Sequence, residues 1–276
     1  MAHILLTNDD GIGAPGLRAL LRALRPLAEV TVLAPDHNWS AAGHTKTMHK
    51  PLRVGPYSFE CDTPPASPPL RQGGGEGEER VEAYTTTGAP SDCVALALLG
   101  ILSRKPDLVV SGINQGANVG HDLTYSGTVA AAMEAVIFGL PAVSISLDSY
   151  ESHDFGFAAQ VGAHVVSQVL ARGLPQGVFL NVNVPCRPAE EIGGVAVTRL
   201  GRRVYRDILI ERQDPRGRPY YWIGGEPPGG HEDEGTDIWA LARGYVSISP
   251  VHLDMTAHEL LPELRQWEWE PAAYSR

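Results

Sequence analysis

The hydrophobic pattern of the chain alternates between short buried strands and longer helical stretches. Short, mostly apolar runs of three to five residues are typical of strands covered on both faces, and apolar or amphipathic stretches of ten or more are typical of helices. The predicted strands are residues 4–6, 30–33, 107–111, 142–145 and 178–182, and the predicted helices are residues 17–27, 93–102, 129–138 and 157–171. This alternation predicts an α/β fold with a doubly wound, mostly parallel sheet.

The pattern changes at two places. Residues 61–80 are rich in Pro, Gly and Glu and contain little to bury, which predicts a mobile surface insertion. After residue 185, three short segments have the pattern of antiparallel strands: residues 195–198, 220–223 and 245–249. A local cationic cluster lies among them, formed by Arg199, Arg202, Arg203, Tyr205 and Arg206. We interpret this cluster as part of an arm or an oligomer contact, because a charge run is usually a solvated face.

Composition limits the function classes. The 276 residues are 43% hydrophobic and 20% charged, with no apolar run long enough to span a membrane and no signal peptide, so we expect a soluble, cytoplasmic protein without a membrane partner. A formal charge of -10 argues against a stable nucleic-acid complex. The 3 cysteines have no CxxC spacing, so neither a disulfide framework nor a zinc site is indicated.

Two adjacent carboxylates, Asp9 and Asp10, follow the first predicted strand directly. Aspartate is unfavourable inside a buried strand, so the pair is expected just past its carboxyl end, where open α/β sheets bind ligands. Two converging carboxylates favour a hard divalent cation. The alternative is that one of them only caps the following helix.

The same segment also has the spacing of a dinucleotide-binding loop, Gly11-x-Gly13-x-x-Gly16, with Asp36 twenty residues beyond Gly16. Two carboxylates before the first glycine would repel a pyrophosphate unless a cation lay between them. Pro15 is also expected to interrupt the start of the helix. We therefore treat the match as formal.

Two further loops are predicted at the same edge of the sheet. The loop after residues 30–33 contains Ser40, which can supply a ligand there, although a lone serine in a polar loop is usually a turn residue. The loop after residues 107–111 contains Asn114 and Asn118 among several glycines, a composition that brings backbone and amide groups close to a ligand.

A possible anion site follows. Ser126, Gly127 and Thr128 begin the predicted helix over residues 129–138, and hydroxyls with backbone N–H groups at a helix start bind phosphate. The alternative is plain capping by Ser126.

Taken together, these loops resemble the SurE family of metal-dependent phosphatases that act on nucleoside monophosphates. The resemblance is carried by residues 7–11, 34–36 with Ser40, 88–92, 111–114 with Gly116 and Asn118, 125–129, and 244–248. It implies that Asp9, Asp10, Ser40 and Asn114 hold one divalent ion per subunit, either Mg²⁺, Mn²⁺ or Co²⁺. Asp9 is also the expected catalytic residue, which aligns or deprotonates a water molecule. The phosphate or substrate contacts are expected from Asn8, Asn118, Ser126, Gly127 and Thr128.

The resemblance also implies a Rossmann-like catalytic region over residues 1–185 and a C-terminal β arm and helix over residues 186–276, exchanged between subunits of a homodimer or homotetramer. The expected activity is 5'-nucleotidase hydrolysis of nucleoside monophosphates, with 3'-nucleotides and short polyphosphate as further substrates. Two other classes stay open. A phosphoacceptor receiver module needs an Asp where this chain has Ser111 and a later Lys, although no lysine follows Lys105. A nicotinamide-dependent oxidoreductase would use the glycine spacing.

Overall fold

The computed structural model describes residues 1–59, 81–152, 154–225, 229–267 and 269. The segment 61–80, predicted as a mobile insertion, lies outside the described residues. None of the helices in the described part of the chain is long and apolar enough to span a membrane. The strands are β1 (His3–Thr7), β2 (Glu29–Pro35), β3 (Val54–Pro56), β4 (Glu82–Thr86), β5 (Leu108–Gln115), β6 (Ala142–Asp148), β7 (Val178–Pro185), β8 (Val195–Val197), β9 (Arg203–Val204), β10 (Asp207–Gln213), β11 (Pro219–Gly225), β12 (Gly229–Gly230) and β13 (Val246–His252). The helices are α1 (Pro15–Leu24), α2 (Pro90–Leu96), α3 (Gly127–Ile137), α4 (Gly156–Arg172), α5 (Asp237–Ala242) and α6 (Leu261–Leu264).

A nine-stranded sheet runs through the described residues in the order β3-β4-β2-β1-β5-β6-β7-β13-β8. The six strands β4-β2-β1-β5-β6-β7 are parallel to one another, which confirms the predicted α/β class. Helices α1 and α4 pack on one face through residues such as Leu20 and Val166, and α2 and α3 pack on the other through Val94 and Val129. The sheet is therefore covered by helices on both faces, as its mostly apolar, buried strands require.

The C-terminal strands differ in part from the prediction. Strands β10 and β11 form the expected antiparallel ribbon, but β8 pairs parallel with β13, and β13 pairs antiparallel with β7. Both β8 and β13 therefore extend the central sheet, and the prediction that residues 195–198 form an antiparallel strand was wrong. Local sequence pattern shows that a segment is extended, whereas the strand beside it is fixed by long-range topology.

Two local predictions near the site also need correction. Pro15 starts α1, where its missing N–H costs nothing because the first helical N–H groups have no partner within the helix. Strand β5 continues to Gln115 and so includes Asn114, which the sequence places in a loop. An irregularity in the pairing of β5 with β6, between Ser111 and Asn114, accounts for the difference because the strand resumes after the glycine at position 112.

Candidate active site at the carboxyl ends of β1, β2 and β5

The candidate site lies where three neighbouring parallel strands end. Strand β1 pairs with β2 on one side and with β5 on the other, and Thr7 lies opposite Ser111. Because parallel strands end at the same edge of a sheet, the Asp9–Asp10 pair, the loop that contains Ser40 and the end of β5 at Asn114 all reach one edge. This edge is where the sequence predicts the site.

Asp9 is the most enclosed of the predicted metal ligands, with a relative exposure of 3%. Its Oδ1 accepts a hydrogen bond from the hydroxyl of Thr128, in the first turn of α3. A Cβ atom placed on Gly127 would lie only 2.7 Å from the Cβ of Asp9, so this close approach of the helix requires glycine. The structure thus brings the predicted catalytic carboxylate into contact with two predicted phosphate residues.

Asp10 is half-buried and accepts two hydrogen bonds from neighbouring loops. The side-chain amide of Asn38 donates to its Oδ1 at 3.1 Å, and the backbone N–H of Gln115 donates to its Oδ2 at 3.4 Å. The Oδ1 of Asn38 in turn accepts the backbone N–H of Ser40 at 2.7 Å. One asparagine therefore links Asp10 to the exposed Ser40, and the N–H next to Asn114 links Asp10 to β5.

Asn114 has one amide atom engaged. Its Nδ2 donates to the carbonyl of Gly116 at 2.8 Å, which fixes the orientation of the side chain. The remaining Oδ1 is an oxygen of the type that binds a hard cation. The amide is therefore held in an orientation that a metal ligand could use.

The glycine spacing after β1 has a packing role. A Cβ atom placed on Gly16 would lie 2.2 Å from the carbonyl oxygen of Ile113, so glycine lets α1 approach β5. Gly11 has a φ of 100°, and the next residue donates its N–H to the carbonyl of Pro35 at 2.8 Å. Asp36, the acidic residue of the dinucleotide pattern, is exposed and paired with His37 at 2.5 Å. Close packing of α1 on β5 accounts for Gly16, and the positive φ accounts for Gly11.

Ser126 and Asn118, both predicted to contact phosphate or substrate, have protein partners. The hydroxyl oxygen of Ser126 accepts the N–H of Val129 at 3.1 Å, which confirms the capping interpretation. The side chain of Asn118 donates to Ser146 at 2.9 Å, and the backbone carbonyl of Asn118 accepts hydrogen bonds from the side chains of Asn181 and Asn183. Asn118 thus belongs to a buried polar network next to the site, and substrate contact by these two residues stays a prediction.

Asn8 lies directly before the acidic pair and is fully buried. Its Nδ2 donates to the carbonyl of Gly11 at 2.9 Å. Its Oδ1 is buried and has no hydrogen-bond partner among the described residues. The same is true of the hydroxyl oxygen of Ser111 on the neighbouring strand. Buried acceptors without partners are uncommon and costly, so two of them beside the acidic pair point to a bound species at this edge.

Burial makes the ionised forms of the two carboxylates unfavourable when no cation is bound. The pKa of Asp9 is raised from 3.8 to about 6, chiefly by burial and also by the nearby charge of Asp10, and the hydrogen bond from Thr128 opposes part of this shift. Burial also raises the pKa of Asp10. A divalent cation between them would offset both the desolvation and the repulsion. The described residues hold no group of three His, Cys, Asp or Glu suited to a metal, so a cation here would draw on Ser and Asn oxygens as well.

Comparison with known proteins decides the family. The chain matches the family described as "Survival protein SurE" over residues 4–207. It is 51% identical to the 5'-nucleotidase SurE of Chloroflexus aggregans over 97% of this chain and 100% of that protein. It is 47% identical to the 5'-nucleotidase SurE of Herpetosiphon aurantiacus over 98% of this chain and 100% of that one.

The chain belongs to the SurE family.

A SurE crystal structure has the same fold. The SurE protein of Aquifex aeolicus superimposes with a TM-score of 0.76 at 40% identity, over 96% of this chain and 98% of that one. The similarity to SurE proteins thus extends from β1 through the C-terminal strands, including β8 and β13, which lie in the region 186–276 that the resemblance had assigned to a β arm and helix.

Sequence reasoning missed two parts of this SurE site. Asn38 connects Asp10 to Ser40, and the N–H of Gln115 contacts Asp10. The only signal for Asn38 is its place two residues before Ser40, where asparagine commonly bonds to the backbone two residues on. A backbone N–H carries no sequence signal, so the Gln115 contact could not be predicted.

Proposed function

We propose that this protein is a divalent-metal-dependent phosphomonoesterase that hydrolyses nucleoside 5'-monophosphates to nucleoside and phosphate. The observation that carries the proposal is the contact between the buried carboxylate of Asp9 and the first turn of α3 at Gly127 and Thr128. A cation held by the acidic pair and a phosphate held by the helix start would then be neighbours. The names of the full-length SurE relatives support the nucleotide class of the substrate.

The residues at this edge suit a hard cation. The ligands that would hold it through oxygen atoms are Asp9, Asp10, Ser40 and Asn114. Burial raises the pKa values of both aspartates, so a bound cation would stabilise their ionised forms. A divalent ion at such a site supplies Lewis-acid polarisation of a phosphoryl oxygen and activation of water. We propose one ion per subunit, either Mg²⁺, Mn²⁺ or Co²⁺.

The chain's own groups then have distinct tasks. The backbone N–H of Gly127 precedes the first hydrogen bond of α3, so it can donate to a phosphate oxygen, and the positive end of the helix favours the anion. The backbone N–H of Thr128 donates instead to the carboxylate of Asp9. The hydroxyl of Thr128 holds the carboxylate of Asp9 in place. Asp9, with a pKa of about 6 before a cation binds, is the group we assign to align the attacking water and accept its proton.

We also propose that the active form is a homodimer or homotetramer. The ribbon of β10 and β11 exposes several large apolar side chains: Ile208, Leu209, Tyr221, Trp222 and Ile223. Large apolar side chains exposed on both faces of a two-stranded ribbon, with Leu209 directly opposite Ile223, are typical of a segment that packs against another protein. Light scattering after size exclusion, compared with a variant that carries Leu209→Ser and Ile223→Ser, tests this assembly.

A substrate panel tests the proposed function. Release of inorganic phosphate is measured for 5'- and 3'-monophosphates of each nucleoside, for short polyphosphate and for ribose 5-phosphate, with Mg²⁺, Mn²⁺ or Co²⁺. We expect the highest kcat/KM for a 5'-monophosphate. Absence of phosphate release from every nucleotide would contradict the proposal, and binding of NAD in a parallel titration would support an oxidoreductase instead.

A further inference from the structure

The turn that leads into the first residues of α3 is held in place by contacts with the segment that begins the C-terminal arm. This turn, Gly120–Thr124, is a short 3-10 helix, and the N–H of Tyr125 donates to the carbonyl of Asp122 at 2.9 Å just before the Ser126 cap. Any movement of the turn is therefore passed directly to Ser126 and the helix start.

Arg203 holds this turn through an ion pair. Its Nε lies 2.7 Å from the Oδ2 of Asp122, and the two side chains are only 14% and 18% exposed. The hydroxyl of Tyr205 donates to the other oxygen of the same carboxylate. Both carboxylate oxygens of Asp122 therefore accept hydrogen bonds from residues more than eighty positions later in the chain.

A second anchor lies two residues earlier. The buried carboxylate of Asp237 accepts the N–H of Gly120 at 2.8 Å and the N–H of Gly201 at 2.7 Å, so it joins the turn to the same C-terminal segment. A Cβ atom on Gly120 would lie 2.7 Å from the carbonyl oxygen of Gly201, which shows how closely the two backbones pack.

Arg203 also balances charge around this turn. Burial raises the pKa values of Asp148 and Asp237, and the positive charge of Arg203 opposes part of both shifts. Without that charge, Asp122 would lose its ion pair although its side chain is only 18% exposed, and Asp148 and Asp237 would lose part of the positive charge that stabilises their ionised forms. An uncompensated buried charge is strongly unfavourable and forces the structure to rearrange.

We propose that Arg203 is a positioning residue for the phosphate site: through its ion pair with Asp122 it fixes the turn that sets the start of α3. This inference rests on the proposed function, because it concerns the same phosphate site. Arg203 lies in β9 and acts on the turn, whereas the acidic pair lies after β1 and meets the start of α3 only through Gly127 and Thr128. Loss of Arg203 should therefore weaken phosphate and nucleotide binding more than it weakens cation binding.

The test compares Arg203→Met and Arg203→Lys with wild type in the full-length protein. For Arg203→Met we expect the KM for a nucleoside 5'-monophosphate and the inhibition constant of inorganic phosphate to rise about tenfold, with kcat and the Kd for Mn²⁺ each within about threefold of wild type. Arg203→Lys retains the charge and should remain within about threefold of wild type in all four quantities.

Arg104→Met is the matched control. Arg104 pairs with Glu29 at 2.7 Å on the surface, at the amino-terminal end of β2 and so on the opposite edge of the sheet. The control should show wild-type kinetics. Tyr205→Phe removes one hydrogen bond to Asp122 without removing charge, and it gives a second measurement if Arg203→Met does not fold; we expect its KM to rise about threefold.

Each outcome has a defined meaning. Wild-type KM and phosphate inhibition in Arg203→Met, or in Tyr205→Phe if the former does not fold, would overturn the inference. So would an equal loss in the lysine and methionine variants, or a loss of Mn²⁺ affinity as large as the loss of phosphate affinity, because the effect would then not be the charge-mediated fixing of the turn. If wild type itself hydrolyses no nucleotide, the proposed function fails; if wild type is active and Arg203→Met matches it, only this inference fails.

Discussion

Thr128 donates its hydroxyl hydrogen to the Oδ1 of Asp9, a residue 119 positions earlier in the chain. The bond joins the strand end that holds the acidic pair to the helix start that we assign to phosphate. It also favours the ionised form of Asp9 against the effect of burial. The two halves of the proposed site are therefore coupled through one hydrogen bond.

Removal of this bond should impair catalysis. In Thr128→Val, the carboxylate of Asp9 loses a hydrogen bond to a charged group, worth roughly 1.5–3 kcal/mol, so kcat/KM should fall about tenfold to hundredfold. The pKa of Asp9 should also rise. Steady-state kinetics against pH measures both effects, with Thr128→Ser as the control that keeps the hydroxyl. Equal kinetics in the valine variant and wild type would show that the bond has no catalytic role.

Replacement of Asp9 by Asn should abolish activity and increase the stability of the cation-free protein. The folded pKa of about 6 lies above the ordinary aspartate value of 3.8, so folding favours the protonated form of Asp9. The contribution of Asp9 to the stability of the cation-free protein is therefore most favourable below pH 3.8 and is lost as the pH rises to about 6. Above pH 6 the loss is about 3 kcal/mol, which Asp9→Asn should recover.

Urea unfolding in EDTA at pH 4 and at pH 7.5 checks this. The variant should be inactive and more stable than wild type at pH 7.5, with a smaller difference at pH 4. A variant less stable than wild type at pH 7.5 would contradict the assignment of a strained carboxylate.

How far the sequence predicts this site differs between its parts. The acidic pair was predictable because aspartate is excluded from a buried strand, so two of them after an apolar run mark its end. The helix start at Ser126 was predictable from capping chemistry. The role of Gly127 was not, because the close approach to Asp9 depends on how α3 packs across the end of β1. The pairing of β8 with β13 was hidden for the same reason, since neither segment encodes its partner.

Cation binding should release protons near pH 6. Because both aspartates have raised pKa values and must be ionised to bind a cation, affinity for Mn²⁺ should weaken as the pH falls below about 6, by about tenfold per unit if one proton is displaced. Isothermal titration in buffers of different ionisation enthalpy counts the protons released. An affinity that stays constant from pH 7 to pH 5 would place the cation away from Asp9 and Asp10.

Gly127→Ala should abolish activity through its effect on Asp9. The added Cβ would lie 2.7 Å from the Cβ of Asp9, so the start of α3 must move away from the acidic pair. Gly13→Ala is the matched control in the loop after β1, because a Cβ there meets nothing within 4 Å. Phosphate release by the two variants is compared at equal protein concentration. Loss of activity in both, or in neither, would contradict the close contact between α3 and Asp9.

The most direct test is phosphate release from adenosine 5'-monophosphate by protein stripped of metal with EDTA, before and after Mn²⁺ or Mg²⁺ is restored, in wild type and in Asp10→Asn. The account predicts no turnover in stripped wild type, recovery when a divalent ion is added, and no recovery in Asp10→Asn at the same ion concentration. Full activity of wild type in excess chelator, or recovery of Asp10→Asn to the wild-type rate at limiting metal, would contradict a cation held by the acidic pair at the end of β1.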